Sequence, residues 1–83
     1  MEDSDKLEII VASKDGLILE DSIKSNIDKQ QLVNTATLIF GASKKLGELY
    51  NKKSNDAIIY YGKLKINLFE TDETILLTII NKS

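Results

Sequence analysis

Residues 6–21 read KLEIIVASKDGLILED, and this stretch decides the fold. Lys6–Ser13 and Leu17–Asp21 are two apolar runs rich in β-branched residues, separated only by Lys14-Asp15-Gly16. A short Asp-Gly segment between two such runs is a hairpin signal. Glycine accepts the positive φ that the turn requires, and the aspartate side chain hydrogen-bonds within its own turn. The motif is therefore read as a structural turn. Leu7, Ile9 and Val11 share one parity of the first strand, which leaves Glu8, Ile10 and Ala12 on the other.

Working outward, Ser25–Asp28 reads as a helix start. Asp28 is placed to cap, Gln31 sits three residues on, and Ile27 and Leu32 are spaced as a hydrophobic staple. A helix of about six turns is expected from there to about Asn51, with Lys44, Lys45, Lys52 and Lys53 near its negative end. After the polar loop 51–55, three strands are expected. These are Ala57–Tyr61, then Leu64–Phe69 after Gly62-Lys63, and Thr74–Ile80 after the turn at Thr71-Asp72-Glu73. Leu64, Ile66 and Leu68 alternate cleanly with Lys65 and Asn67, and Ile75, Leu77 and Ile79 continue the apolar parity. The order is β-β-α-β-β-β. This predicts an α+β domain over residues 1–83, a five-stranded antiparallel sheet with one long central helix on one face. Met1–Asp5 reads as a frayed acidic lead-in.

Composition narrows the function classes. Net charge is −2, which gives no electrostatic reason to expect nucleic acid. All 11 basic residues are lysines, so there is no arginine for a bidentate phosphate contact or an arginine finger. Histidine and cysteine are both absent. That removes the common metal sites, the His-based nucleophile pairs and any disulfide framework. No phosphate loop or nucleophile elbow occurs, and no cofactor is expected. Adjacent carboxylates such as Glu20-Asp21 and Asp72-Glu73 read as solvated turn or strand-end residues. Apolar runs fall far short of the roughly 20 residues needed to span a bilayer. The acidic N-terminus lacks the features of a signal peptide. A cytoplasmic, non-enzymatic chain without membrane insertion is expected.

Two features point to binding. The helix is apolar over too much of its circumference. Leu32, Ala36, Ile39, Phe40, Leu46 and Tyr50 are assigned to the arc facing the sheet, and Leu38, Ala42 and Leu49 lie beside it. Asn34, Gly41, Lys45 and Glu48 form the narrow polar strip. A curved sheet wrapping the helix would account for the extra flank, and so would a second helix lying alongside; surface beyond core needs favours the second. The second sheet face is expected to be mixed, with Ile10, Ala12, Phe69, Leu76 and Ile80 among Glu8, Lys65 and Asn67. That patch is either tolerated exposure or a partner's footprint.

The segment Val11-Ala12-Ser13-Lys14-Asp15-Gly16-Leu17-Ile18-Leu19, followed by a polar stretch and a long alanine- and leucine-bearing helix, resembles the roadblock (dynein light chain) family. The match in order and spacing runs from about Lys6 to Ile80. Members of the family usually carry a helix before the first strand and often one after the last, and residues 1–83 are expected to form a minimal version without them. The resemblance implies a dimer, homotypic or with a sister domain, whose central helices lie antiparallel and whose third strands join edge to edge. That places Leu38, Ala42 and Leu49 at the helix seam and Ala57, Ile58, Ile59, Tyr60 and Tyr61 at the strand seam. It also implies scaffolding or regulation of a small Ras-like GTPase, with the partner meeting Asn34, Gly41, Lys45 and Glu48. Any stimulation of hydrolysis would be indirect, for want of an arginine. The alternative is a longin-like or profilin-like monomeric adaptor that takes a peptide or helix on the open sheet face. A small-ligand sensor using the space between helix and sheet is a third reading, with no clear convergence of polar groups to support it.

Overall fold

A computed structural model describes residues 6–82. Its elements are β1 (Lys6–Ser13), β2 (Ile18–Asp21), α1 (Lys29–Leu49), β3 (Asp56–Tyr61), β4 (Leu64–Glu70) and β5 (Thr74–Asn81). The five strands form one sheet in the order β2-β1-β5-β4-β3, and every pair is antiparallel. This is the expected α+β architecture, with α1 on one face. The first and last strands lie inside the sheet, so the short β2 and the apolar β3 become its two edges. No helix among the described residues is long and apolar enough to cross a membrane. The expected lead-in at residues 1–5 lies outside the described residues.

The β1–β2 connection is a short loop closed by Ser13. Its amide and carbonyl bond Leu17 O (2.8 Å) and Gly16 N (2.9 Å), and its hydroxyl accepts from Leu17 N at 3.1 Å. Gly16 sits at φ 92, where a side chain would be strained. The register slips between Val11 and Ala12, a bulge that leaves Leu19 without a partner in β1.

Asp28 caps α1, its carboxylate accepting from Gln31 N at 3.0 Å. The helix ends in paired reverse bonds, Asn51 N to Glu48 O and Lys52 N to Gly47 O, with Asn51 left-handed at φ 56. This is the geometry of a Schellman stop, with asparagine in the place glycine usually takes. The expected lysine support at the helix end is corrected here, since no basic residue lies in the last turn.

The core consists of Ile10, Ala12, Ile66, Leu68, Ile75, Leu77 and Ile79 from the sheet, under Val33, Ala36 and Phe40 from the helix. Two sequence expectations are corrected by it. Ile10 and Ala12, expected on the second face, are 0% exposed beneath the helix, whereas Leu7 and Ile9 are turned to the open face. On α1, Ala36 and Phe40 point inward as expected and Leu32 is half-buried, but Ile39, Leu46 and Tyr50 are exposed. The inward arc instead runs through Val33, which is buried, and through Ser43 and Gly47, which are half-buried; a Cβ at Gly47 would press on the Lys52 carbonyl of the helix stop at 3.1 Å.

Candidate protein interface

The side of α1 away from the sheet carries an apolar stripe. At 100° per residue, Leu38, Ala42, Leu46 and Leu49 lie opposite Val33, Ala36 and Phe40, with Ile39 at the margin. All five are exposed, Leu38 to 76% and Leu49 to 78%. Sequence singles out Leu38, Ala42 and Leu49 but assigns Ile39 and Leu46 to the core, because a helical period alone does not tell the sheet-facing arc from an apolar arc on the far side.

Strand β3 pairs only with β4, so the opposite row of its backbone donors and acceptors has no partner in the sheet. Ala57 and Ile59 are half-buried against the core, Ile58 and Tyr60 of the other parity are exposed, and Tyr61 at the strand's end is exposed as well. An exposed, apolar edge strand of this kind is a template for pairing with another chain.

The polar flank of α1 runs between stripe and core. Asn34, Gly41, Lys45 and Glu48 are all exposed along it. The β1–β2 loop is fastened to its first turns by Gln30, whose Nε2 donates to Gly16 O at 2.8 Å and to Asn34 Oδ1 at 3.0 Å. A carboxylate then ties three elements together. Glu70 at the end of β4 accepts from Lys14 Nζ at 2.7 Å and from Lys44 Nζ of the helix. These bonds, led by that from Lys14, hold the Glu70 carboxyl below its usual range. The Lys44 ammonium also lies 4.7 Å from the centre of the Phe40 ring. No sequence signal marks this cluster, since Glu70 lies 56 and 26 residues from its two partners.

Gly41 stands out on the flank. A Cβ built there would meet nothing within 4 Å, so no packing requires glycine. Glycine in a helix interior costs about 1 kcal/mol relative to alanine. What it supplies is bare backbone, which lets another molecule approach closely.

A second fastening sits at the other end of the molecule. Glu8, buried beneath the loop before α1, accepts from Lys24 N at 2.7 Å, Ser25 N at 3.0 Å and Ser25 Oγ at 3.0 Å. The Lys24 amide is the chief reason its carboxyl is held below the ordinary 4.5. Beside it, Ile27, Leu32, Leu64 and Ile79 line a cleft of about 440 Å³. The Glu8 carboxylate is committed to the loop and that of Asp28 to the helix cap, which leaves Gln31, Thr35 and Asn81 as the polar lining.

This helix-on-sheet arrangement is shared by solved structures. Superposition on an MglB described as having a tetrameric arrangement gives a TM-score of 0.77 at 10% identity, over 89% of this chain and 59% of that one. The chain has the roadblock/longin fold. Myxococcus xanthus MglB matches this fold over 92% of the chain and 66% of its own, with a TM-score of 0.74 and 17% identity. The gliding protein MglB of Thermus thermophilus matches over 90% and 59%, with a TM-score of 0.74 and 12% identity. The chain thus spans about 60% of the length of these roadblock-fold structures. No family model and no curated protein matches the sequence.

Proposed function

We propose that the chain is a non-catalytic binding platform that pairs with a copy of itself, or with a sister domain, and presents the pair to a small Ras-like GTPase. The apolar stripe Leu38–Ala42–Leu46–Leu49 carries this reading. Its residues lie on the wet side of a helix whose other side already holds the core, and antiparallel pairing of two stripes would bury both. The free edge of β3 supports the same pairing, since two such edges joined antiparallel make one continuous sheet. The shared fold with an MglB of tetrameric arrangement is in keeping with self-association. The GTPase is assigned to the polar flank, where bare Gly41 lies between Asn34, Lys45 and Glu48, and cytoplasmic residence follows from such a partner.

Light scattering on the eluting protein tests the pairing. The expected mass is a multiple of the 9.3 kDa chain, and Leu38→Asp should halve it while leaving the circular dichroism spectrum intact. A wild-type mass of 9.3 kDa at every concentration would refute self-pairing. For the GTPase, a Lys45→Glu, Glu48→Lys chain of unchanged mass should lose binding to nucleotide-loaded Ras-like proteins that the wild type retains. A monomeric adaptor is the reading to which a 9.3 kDa mass would move, with the open sheet face as its binding surface.

A further inference from the structure

The face of the sheet opposite α1 is covered by none of the described residues, and the register arranges it in rows. At one end Val11, Leu76 and Phe69 lie side by side across β1, β5 and β4. At the other end Leu7, Ile80, Lys65 and Tyr60 do so across β1, β5, β4 and β3. Between them the middle row contains Thr78 and Asn67. Charge is distributed along the strands in the same polar sense. Glu20 and Asp56 flank the Val11 end, and Asp72-Glu73 makes its turn, whereas Lys65 and Lys82 belong to the Leu7 end. Phe69 is 43% exposed, although its neighbours in the row are large and apolar.

We infer that this face packs against the same face of a second copy, related by a two-fold axis that runs across the strands near the middle row. This occupant follows from three properties of the face. Rotation about that axis reverses the strands, so the acidic end of each copy lies over the lysine end of the other, which is self-complementary charge. It also places Val11 over Leu7, Leu76 over Ile80, and the Phe69 ring over Lys65, whose ammonium already lies 5.7 Å from the Tyr60 ring. Finally, it sets Thr78 and Asn67 of the middle row over their own copies at the axis, polar against polar.

Size agrees with the assignment. Five strands at about 4.8 Å spacing and about seven residues of 3.3 Å rise give a face of about 500 Å². Two such faces bury about 1,000 Å² together, the lower bound for a specific interface. Sheets with inner faces stacked in this way pack about 10 Å apart, as in a β-sandwich. This contact is separate from the proposed helix and β3 seam and does not depend on it. Where both form and their two-fold axes cross at right angles, four chains assemble.

The test is a mass matrix by light scattering on the whole chain, from micromolar to millimolar concentration, with circular dichroism confirming the fold of each variant. Phe69→Lys disrupts the sheet face and Leu38→Asp the helix seam; both sites are exposed, so neither substitution empties the core. The wild type is expected at four chain masses, each single variant at two, and the double variant at one. If Leu38→Asp alone gives a monomer at millimolar concentration, the sheet-face contact is overturned and the helix seam stands. If Leu38→Asp leaves the mass unchanged while Phe69→Lys halves it, the seam fails and the sheet-face contact stands. A wild-type mass fixed at two chains and indifferent to Phe69→Lys also overturns the inference, and leaves the face to a partner of another kind.

Discussion

Replacing Glu8 by glutamine isolates one charge at a buried junction without changing its shape. In the wild type the carboxylate gathers three hydrogen bonds from Lys24 and Ser25, which pin the β2–α1 loop to β1. Hydrogen bonds to an ionised acceptor contribute about 1.5–3 kcal/mol each, against about 1 kcal/mol for neutral pairs. The glutamine oxygen can still take the two backbone amides, and Ser25 Oγ can turn to accept from its NH₂. The loss is then the charge assistance, offset in part by the desolvation that the charged form no longer incurs, or about 1–2 kcal/mol at pH 7. In a chain of this size that lowers Tm by roughly 5–15 °C. The pH dependence is the sharper test. Glu8 has its folded pKa below the ordinary 4.5, so its contribution is complete above that value and is lost as pH falls through the folded pKa. Urea unfolding at fixed protein concentration, followed by circular dichroism from neutral pH down into the acid range, should show the gap between wild type and Glu8→Gln closing there. Glu70 shifts in the same direction but is present in both proteins, so it cancels from the gap. A gap that stays constant down to the lowest pH, or none at neutral pH, would refute the claim that a charged Glu8 secures the loop.

Two further substitutions test the helix. Phe40→Ala removes the largest inward side chain of α1, 3% exposed, and should cost about 3–4 kcal/mol by urea unfolding. Gly41→Ala should instead stabilise the chain by about 0.5–1 kcal/mol, because its Cβ enters open space. If the polar flank takes a close-approaching partner, the same variant should bind it more weakly despite being the more stable protein.

The features legible from sequence are those encoded locally. The Asp15-Gly16 hairpin, the Asp28 cap with Gln31, and the alternation of Leu64, Ile66 and Leu68 each lie within a few residues, and the structure repeats them. The parity of β1 is not encoded in this way. KLEIIVAS is apolar on both parities, so hydrophobicity does not choose between Leu7-Ile9-Val11 and Ile10-Ala12. What chooses is Glu8, whose burial is tolerated only because three donors 16 and 17 residues away converge on it. The same limit applies to α1. A helix apolar on two opposite sides has a weak amphipathic signal, and Ser43 and Gly47, which lie on the inward arc with Val33, Ala36 and Phe40, carry no hydrophobic signature to mark it.

That ambiguity is itself informative about how the chain is used. A protein of this size buries only roughly 60–65% of its unfolded surface, so it has little apolar material to spare for its exterior. Yet Leu38, Leu46 and Leu49 on the helix, and Leu7, Ile58, Tyr60 and Phe69 on the sheet, are left exposed. Scattered exposure of single residues is ordinary; here they gather into one stripe and one face on opposite sides of the molecule. Stability gained by covering either surface would be concentration-dependent, since association stabilises the folded chain by mass action. The unfolding midpoint should therefore rise with protein concentration in the wild type. The rise should shrink in Leu38→Asp and in Phe69→Lys and vanish when both are present. A midpoint independent of concentration in the wild type would mean that neither surface is covered by another copy, and that the exposed leucines serve a different partner.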